Sequence, residues 1–262
     1  MSASAASGRG SVIAVVGGQG GCGATEVAAL LARALAAAGR TVAAIDASEG
    51  EGPLGMLLGV DPDGPGERMA AWAQPVVDGP IGHPAVLEHM LAPTSCGVHL
   101  VRGTAGLRWS LGEPALLGRI AQSLTAVRDW VVCAAPAGPT AAAVGAWRAA
   151  GTLVLVTGPK PQDLYRAHQI LTAAAAEGVR VGGVSVDCAH GEPAPDGGEI
   201  ATALGVSLLG VVSWDWALAA GSEVRPLGGP FGRAVRGGLS SVAAGIAPPA
   251  VPWWQRHGRG VR

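Results

Sequence analysis

Lysine occurs once in these 262 residues, at Lys160, and phenylalanine and tyrosine occur once each. Charged residues make up only 14% and the formal net charge is −1. The chain therefore offers no bulk electrostatic attraction to DNA or to an anionic membrane, and no DNA partner is expected. No apolar run reaches the roughly 18 residues that a bilayer-spanning helix needs. The opening MSASAASGRG is small and polar, without an apolar core, so no secretory signal peptide is expected there. Cys22, Cys96, Cys133 and Cys188 lie far apart and lack metal-ligand spacing. They read as reduced, mostly buried thiols of a cytosolic protein. Hydrophobic residues reach 49%, which favours a globular chain over a disordered one. The length permits one large α/β domain or two small ones.

What is present is organised around Val12 to Asp46. Val12 to Val16 is an apolar, β-branched run of buried-strand length. A glycine-rich loop follows at once. Thr25 to Ala38 has the composition of a good helix, closed by Gly39, and Thr41 to Ile45 is a second short strand ending on Asp46. Strand, glycine loop, helix and strand make one βαβ unit. Such a loop turns tightly and aims successive N–H groups at a helix N-terminus, which is what a phosphate cradle requires.

The loop runs Gly18, Gln19, Gly20, Gly21, Cys22, Gly23, Ala24, Thr25. A Walker A loop reads G-x-x-x-x-G-K-[ST]. The match holds at every position except the lysine, which is Ala24. The stretch resembles the deviant Walker A loop of the ParA/MinD family of P-loop ATPases, GKGGVGKT. Both lysines of that pattern are replaced here, the signature lysine by Gln19 and the phosphate-binding lysine by Ala24. Thr25, the family's magnesium ligand, is kept. Glu26 stands where the family has a second threonine, so a cation is lost and an anion placed beside the loop. Cys22 has two readings, a reactive thiol or a small residue that fits a tight turn.

Further along, strands and helices alternate without repeats, which predicts a mostly parallel sheet with helices on both faces. The expected strands are Val98 to Arg102, the run from Trp130, Thr152 to Thr157, Val179 to Val186 and Leu208 to Val212. The expected helices are Pro84 to Leu91, Glu113 to Val127, Thr140 to Ala150, Leu164 to Ala176 and a turn at Ile200 to Leu204. A further helix region closes the chain from Gly228 to Gly245. Leu116, Leu117, Ile120, Leu124 and Val127 share one helix face. Gly158 to Asp163 reads as a turn, Val60 to His83 as a long surface excursion, and single tryptophans such as Trp147 as core plugs. Lys160 reads as a solvated lysine or a phosphate contact.

The resemblance extends over these elements, from about Val12 to Ile246. Asp46 matches the first acid of the family's D-x-D, and Ser48 replaces the second. A cap at the strand end is the other reading of Asp46. Asp129 to Gly138 fits the Walker B frame D-Y-V-I-V-D-T-P-x-G, with Ala134 where the family has its acid. Asp187 and Cys188 stand where an asparagine contacts adenine, and Ser213, Trp214 and Asp215 resemble the segment after the last strand. Within the family the pattern looks most like the CpaE/TadZ-type proteins of actinobacteria, including the Ssd (septum-site-determining) group. Their receiver-like domain would find only about ten residues ahead of the first strand here.

The resemblance implies a P-loop NTPase fold over residues 11–247, with residues 1–10 a disordered N-terminus and 248–262 a flexible tail. Paired Trp253 and Trp254 beside Arg256, Arg259 and Arg262 give that tail a second reading, peripheral contact with the inner face of the membrane. The implied vestigial nucleotide site is Gly18 to Glu26 with Asp46. Its ligands would be ATP or ADP with magnesium, held weakly, with no catalytic residue. A lost charge-assisted hydrogen bond costs about 1.5–3 kcal/mol of binding. A lost arginine finger costs on the order of 10³–10⁵ in phosphoryl-transfer rate.

Three functions stay open. The first is a non-hydrolysing pseudo-ATPase scaffold for a Tad/Flp pilus or secretion machine, or for septum placement. Its partners would be a secretion or pilus ATPase and membrane assembly proteins, and a homodimer is compatible with it. The second is a nucleotide-switched ParA/MinD-like ATPase, rescued by a cation such as Arg102, Arg108 or one from a partner chain. The third is a Rossmann-type dinucleotide protein, because Gly18 to Gly23 also fits G-x-G-x-x-G with Asp46 about twenty residues on. That fingerprint is weak in a chain with 42 glycines.

Overall fold

The computed structural model describes residues 10–47, 52–61, 63–66, 84–103, 115–187 and 196–212. The expectations for residues 1–9, Ser48, the excursion beyond 66, Arg108, Cys188, Ser213 to Asp215, the closing helix region and the tail lie outside them.

The elements in chain order are β1 (Ser11–Gly17), α1 (Ala24–Ala37), β2 (Val42–Asp46), α2 (Leu54–Leu57), α3 (Pro84–Met90), β3 (Ala92–Pro93) and β4 (Val98–Val101). They continue with α4 (Leu116–Leu124), β5 (Trp130–Ala134), α5 (Ala141–Ala149), β6 (Thr152–Thr157), α6 (Pro161–Ala176), β7 (Val181–Asp187), α7 (Gly197–Leu204) and β8 (Leu208–Val212). The strands form one eight-stranded sheet in the order β3-β4-β2-β5-β1-β6-β7-β8. Every pairing is parallel except β3 against β4. The mostly parallel sheet expected from the sequence is the observed one.

Alternation along β1 explains why both faces are covered. Val12, Ala14 and Val16 enter one buried cluster, with side chains of α3, α4, α5, α6 and α7. Ile13 and Val15 enter the other, with α1 and α2. A strand buried on both sides reads as an unbroken apolar run, as Val12 to Val16 does. The shared face of α4 is buried as expected, and Trp147 is fully buried in α5, a core plug. Where α4 crosses α5, a Cβ on Gly118 would lie 2.5 Å from the Gly145 carbonyl oxygen, so only glycine allows the contact.

Three local expectations need correction. α6 begins at Pro161, inside the segment expected to be a turn, because proline is favoured in a helix's first turn. α7 is longer than one turn, since Asp196 caps it through bonds to the N–H groups of Gly198 and Glu199. The two-residue antiparallel edge strand β3 was not expected.

β5 lies between β1 and β2, so Asp46 stands two strand spacings, about 10 Å, from the strand that feeds the glycine loop. A Rossmann unit keeps its first two strands adjacent. The topology therefore removes the dinucleotide reading. No helix among the described residues is long and apolar enough to cross a membrane.

Candidate functional site

The carboxyl ends of β1, β2, β5 and β6 converge on one edge of the sheet. β1 ends at Gly17, and Gly18 N donates to the Val156 carbonyl of β6 at 3.2 Å. The chain then curls back on itself. A Cβ on Gly17 would meet Cys22 Sγ at 2.3 Å. Cys22 is buried and its thiol donates to the same Val156 carbonyl, at 3.7 Å. This supports the small turn residue over the reactive thiol. Gly21 and Gly23 have φ of 76° and 80°, a left-handed conformation that favours glycine. No atom lies within 4 Å of a Cβ built on Gly20 or Gly21, so the tip of the loop is open.

Gly23 is the N-cap of α1, and the first bond of the helix runs from Val27 N to Gly23 O. The N–H groups of Ala24, Thr25 and Glu26 thus have no acceptor within the helix. They point out of its positive end, as an anion site requires. Thr25 and Glu26 are half-buried there. Glu26 adds a negative charge to the first turn of α1 at this end of the helix.

Beside the loop, β5 pairs Ala134 with Val15 on one side and with Asp46 on the other. Asp46 is 1% exposed, and its Oδ2 accepts from Leu54 N, the first residue of α2, at 3.2 Å. The cap reading of Asp46 is thus realised in the structure. Ala134 is buried where an acid would complete a pair with Asp46. Burial, followed by the Asp46 charge, pushes the thiol of neighbouring Cys133 up to about 12. Phosphate therefore fits the backbone of this loop. A magnesium ion would find the Thr25 hydroxyl and the Asp46 carboxylate, but no second acid from β5.

The fourth wall is α6, whose side chains were not singled out by the sequence. Gln19 Nε2 donates to Asp163 Oδ1 at 2.8 Å, and Arg166 Nη1 donates to Gln19 Oε1. Asp163 is 5% exposed, and its Oδ2 also accepts from Lys160 N at 3.3 Å. A Cβ on Gly158 would fall 2.3 Å from that Oδ2, so glycine makes room for the carboxylate. Lys160 is exposed at the N-cap position of α6. An acid in the first helical turn after proline is the signal that could have found Asp163.

Arg102 does not serve the loop. Its Nη2 donates to the carbonyls of Asp61, Gly64 and Pro65 at 2.7, 2.8 and 3.2 Å. Among the described residues no group of His, Cys, Asp and Glu side chains could hold a metal ion by itself.

Comparison with known proteins agrees with this fold. The model of the CobQ/CobB/MinD/ParA nucleotide binding domain matches residues 13–224. The cell division ATPase MinD of Pyrococcus furiosus superposes with a TM-score of 0.72 at 24% identity, covering 90% of this chain and 99% of that one. The septum site-determining protein MinD of Pyrococcus horikoshii OT3, complexed with Mg-ADP, gives 0.70 at 24% identity, with 90% and 98% covered. MinD from the MinC:MinD complex of Aquifex aeolicus gives 0.70 at 18% identity, with 91% and 98% covered. These likenesses show the P-loop NTPase fold of MinD and ParA. No curated protein matches the chain.

Proposed function

Because the chain belongs to the CobQ/CobB/MinD/ParA nucleotide-binding family, we propose that it is a pseudo-ATPase of that family. It binds ATP or ADP weakly and does not turn it over. Ala134 carries this reading. It is buried between Val15 and Asp46, at the position of β5 in register with Asp46, where an acid could join Asp46 around a magnesium ion. An alanine methyl neither holds a metal shell nor orients a water.

The loop supports weak binding by backbone alone. The N–H groups of Ala24, Thr25 and Glu26 would hold a phosphate, and the Thr25 hydroxyl and Asp46 would face the magnesium that accompanies it. When bound, the ion would neutralise phosphate charge. Gln19 and Ala24 bring no cation, and Glu26 brings an opposing charge.

In this reading the protein works as a cytoplasmic scaffold of the CpaE/TadZ/Ssd-like kind, which localises or assembles a Tad/Flp pilus or secretion machine or acts in septum placement. Its partners are a secretion or pilus ATPase and membrane assembly proteins, with a homodimer compatible and the tail from residue 248 available for peripheral membrane contact. A MinD of Aquifex aeolicus forms a complex with MinC, so protein partnership is attested for this fold. Calorimetric titration with ATP and ADP, with and without magnesium, coupled to a phosphate-release assay, tests the proposal. Weak binding without turnover supports it, and magnesium-dependent turnover restores the switched ATPase.

A further inference from the structure

We propose that Arg166 supplies the phosphate-binding cation that the glycine loop itself lacks. The inference rests on the reading that the loop takes a nucleotide phosphate chain. It assigns the charge for that task to α6, outside the loop motif.

Four observations carry it. α6 packs directly on the loop: a Cβ on Gly18 would lie 3.4 Å from Arg166 Cβ and 3.5 Å from Ala167 N. The guanidinium reaches the loop, since Nη1 donates to Gln19 Oε1. Its charge is not neutralised there, because that acceptor is a neutral amide. The nearby acid is already engaged: Asp163 takes Gln19 Nε2 on one oxygen and Lys160 N on the other, at the positive end of α6. Among the described residues no carboxylate pairs with Arg166, which is exposed.

A guanidinium suits the task. It is always charged, is weakly hydrated and presents a planar fork of donors that matches phosphate oxygens. Gln19 acts as its resting place. Asp163 pins the amide nitrogen, so the amide oxygen faces Arg166 and holds the cation beside the open tip of the loop. An anionic phosphate outcompetes a neutral amide for it. Arg166 thus stands in for the missing lysines from a different element.

The test is calorimetric titration with magnesium ATP of the full chain and of Arg166→Ala, Arg166→Lys, Gln19→Ala and the remote control Arg148→Ala. Melting curves establish that each variant is folded. Arg166→Ala is expected to lose about tenfold or more in affinity, as for a charge-assisted hydrogen bond. Arg166→Lys should restore part of that loss, Gln19→Ala should lose less than Arg166→Ala, and Arg148→Ala should bind as the parent does. ATP binding by Arg166→Ala equal to that of the parent overturns the assignment and leaves the nucleotide reading intact. An equal loss in Gln19→Ala also overturns it, by showing that the pair only shapes the loop. Absence of ATP binding by the parent chain itself overturns both.

Discussion

Gln19 Nε2 donates to Asp163 Oδ1 at 2.8 Å and joins the glycine loop to the first turn of α6 across 144 positions of sequence. Asp163 is buried and also receives Lys160 N, so its removal strands two donors. Asp163→Ala should destabilise the fold by about 1.5–3 kcal/mol, the range for hydrogen bonds to a charged group. A urea titration checks this. The midpoint should fall with the slope unchanged, and an unchanged midpoint would show that the contact does not hold α6 to the loop.

Glu26 sits in the first turn of α1, where its negative charge interacts favourably with the helix dipole and opposes a phosphate bound at the same helix end. Glu26→Gln should therefore tighten ATP binding several-fold while costing about 0.3–1 kcal/mol of stability. Titration and melting of the same sample read both effects. A loss of affinity would place the carboxylate among the groups that assist binding.

Glu88 on α3 and Arg128, before β5, form an ion pair with two hydrogen bonds. The hydrogen bond from Arg128, which outweighs a smaller opposing effect of burial, holds the Glu88 carboxyl below its usual value. A depressed folded-state pKa stabilises above the unfolded value of 4.5, and that stability is lost as pH falls through the folded value. Glu88 is about half exposed, so screening keeps the contribution to about 1 kcal/mol or less. Glu88→Gln should be less stable than the parent at neutral pH, and the difference should vanish in acid. A difference independent of pH would contradict the pairing.

Cys133 shows the opposite sign. Burial and the Asp46 charge raise its pKa to about 12 from 9.0. Its stabilisation is complete below the unfolded value and is lost as pH rises through the folded one, at up to about 1.4 kcal/mol per pH unit between them. Cys133 should resist alkylation in the native state at pH 8 and react after unfolding, whereas half-buried Cys96 reacts first of the described cysteines. Peptide mapping after iodoacetamide treatment decides this. Native labelling of Cys133 would mean that β5 opens.

The sequence revealed the parts of the site that are local. β1, the glycine loop, α1 and β2 follow one another within Val12 to Asp46, and their apolar runs and glycine spacing need no distant partner to be read. Ala134 was placed by its frame. Strand order was not legible, because the insertion of β5 between β1 and β2 pairs Trp130 with Val42 on one side and with Ser11 on the other, both far away in sequence. α6 was shortened because Pro161 reads as a breaker in a Gly-Pro-Lys-Pro string, although proline is equally at home in a first helical turn. That shortening hides Asp163, whereas Arg166 falls inside the expected helix and only the packing of α6 on the loop brings it to Gln19. Arg102 was a reasonable candidate cation by sequence, but its position after β4 commits it to carbonyls of the 60s turn.

The central claim is binding without turnover, and one measurement reaches it most directly: phosphate release from magnesium ATP by the purified full chain, at concentrations where calorimetry shows ATP bound. The account predicts release no faster than in buffer alone, because Ala134 gives Asp46 no acidic partner from β5. Release that is saturable in ATP and abolished by Thr25→Ala would contradict it, and would make this protein a working ATPase.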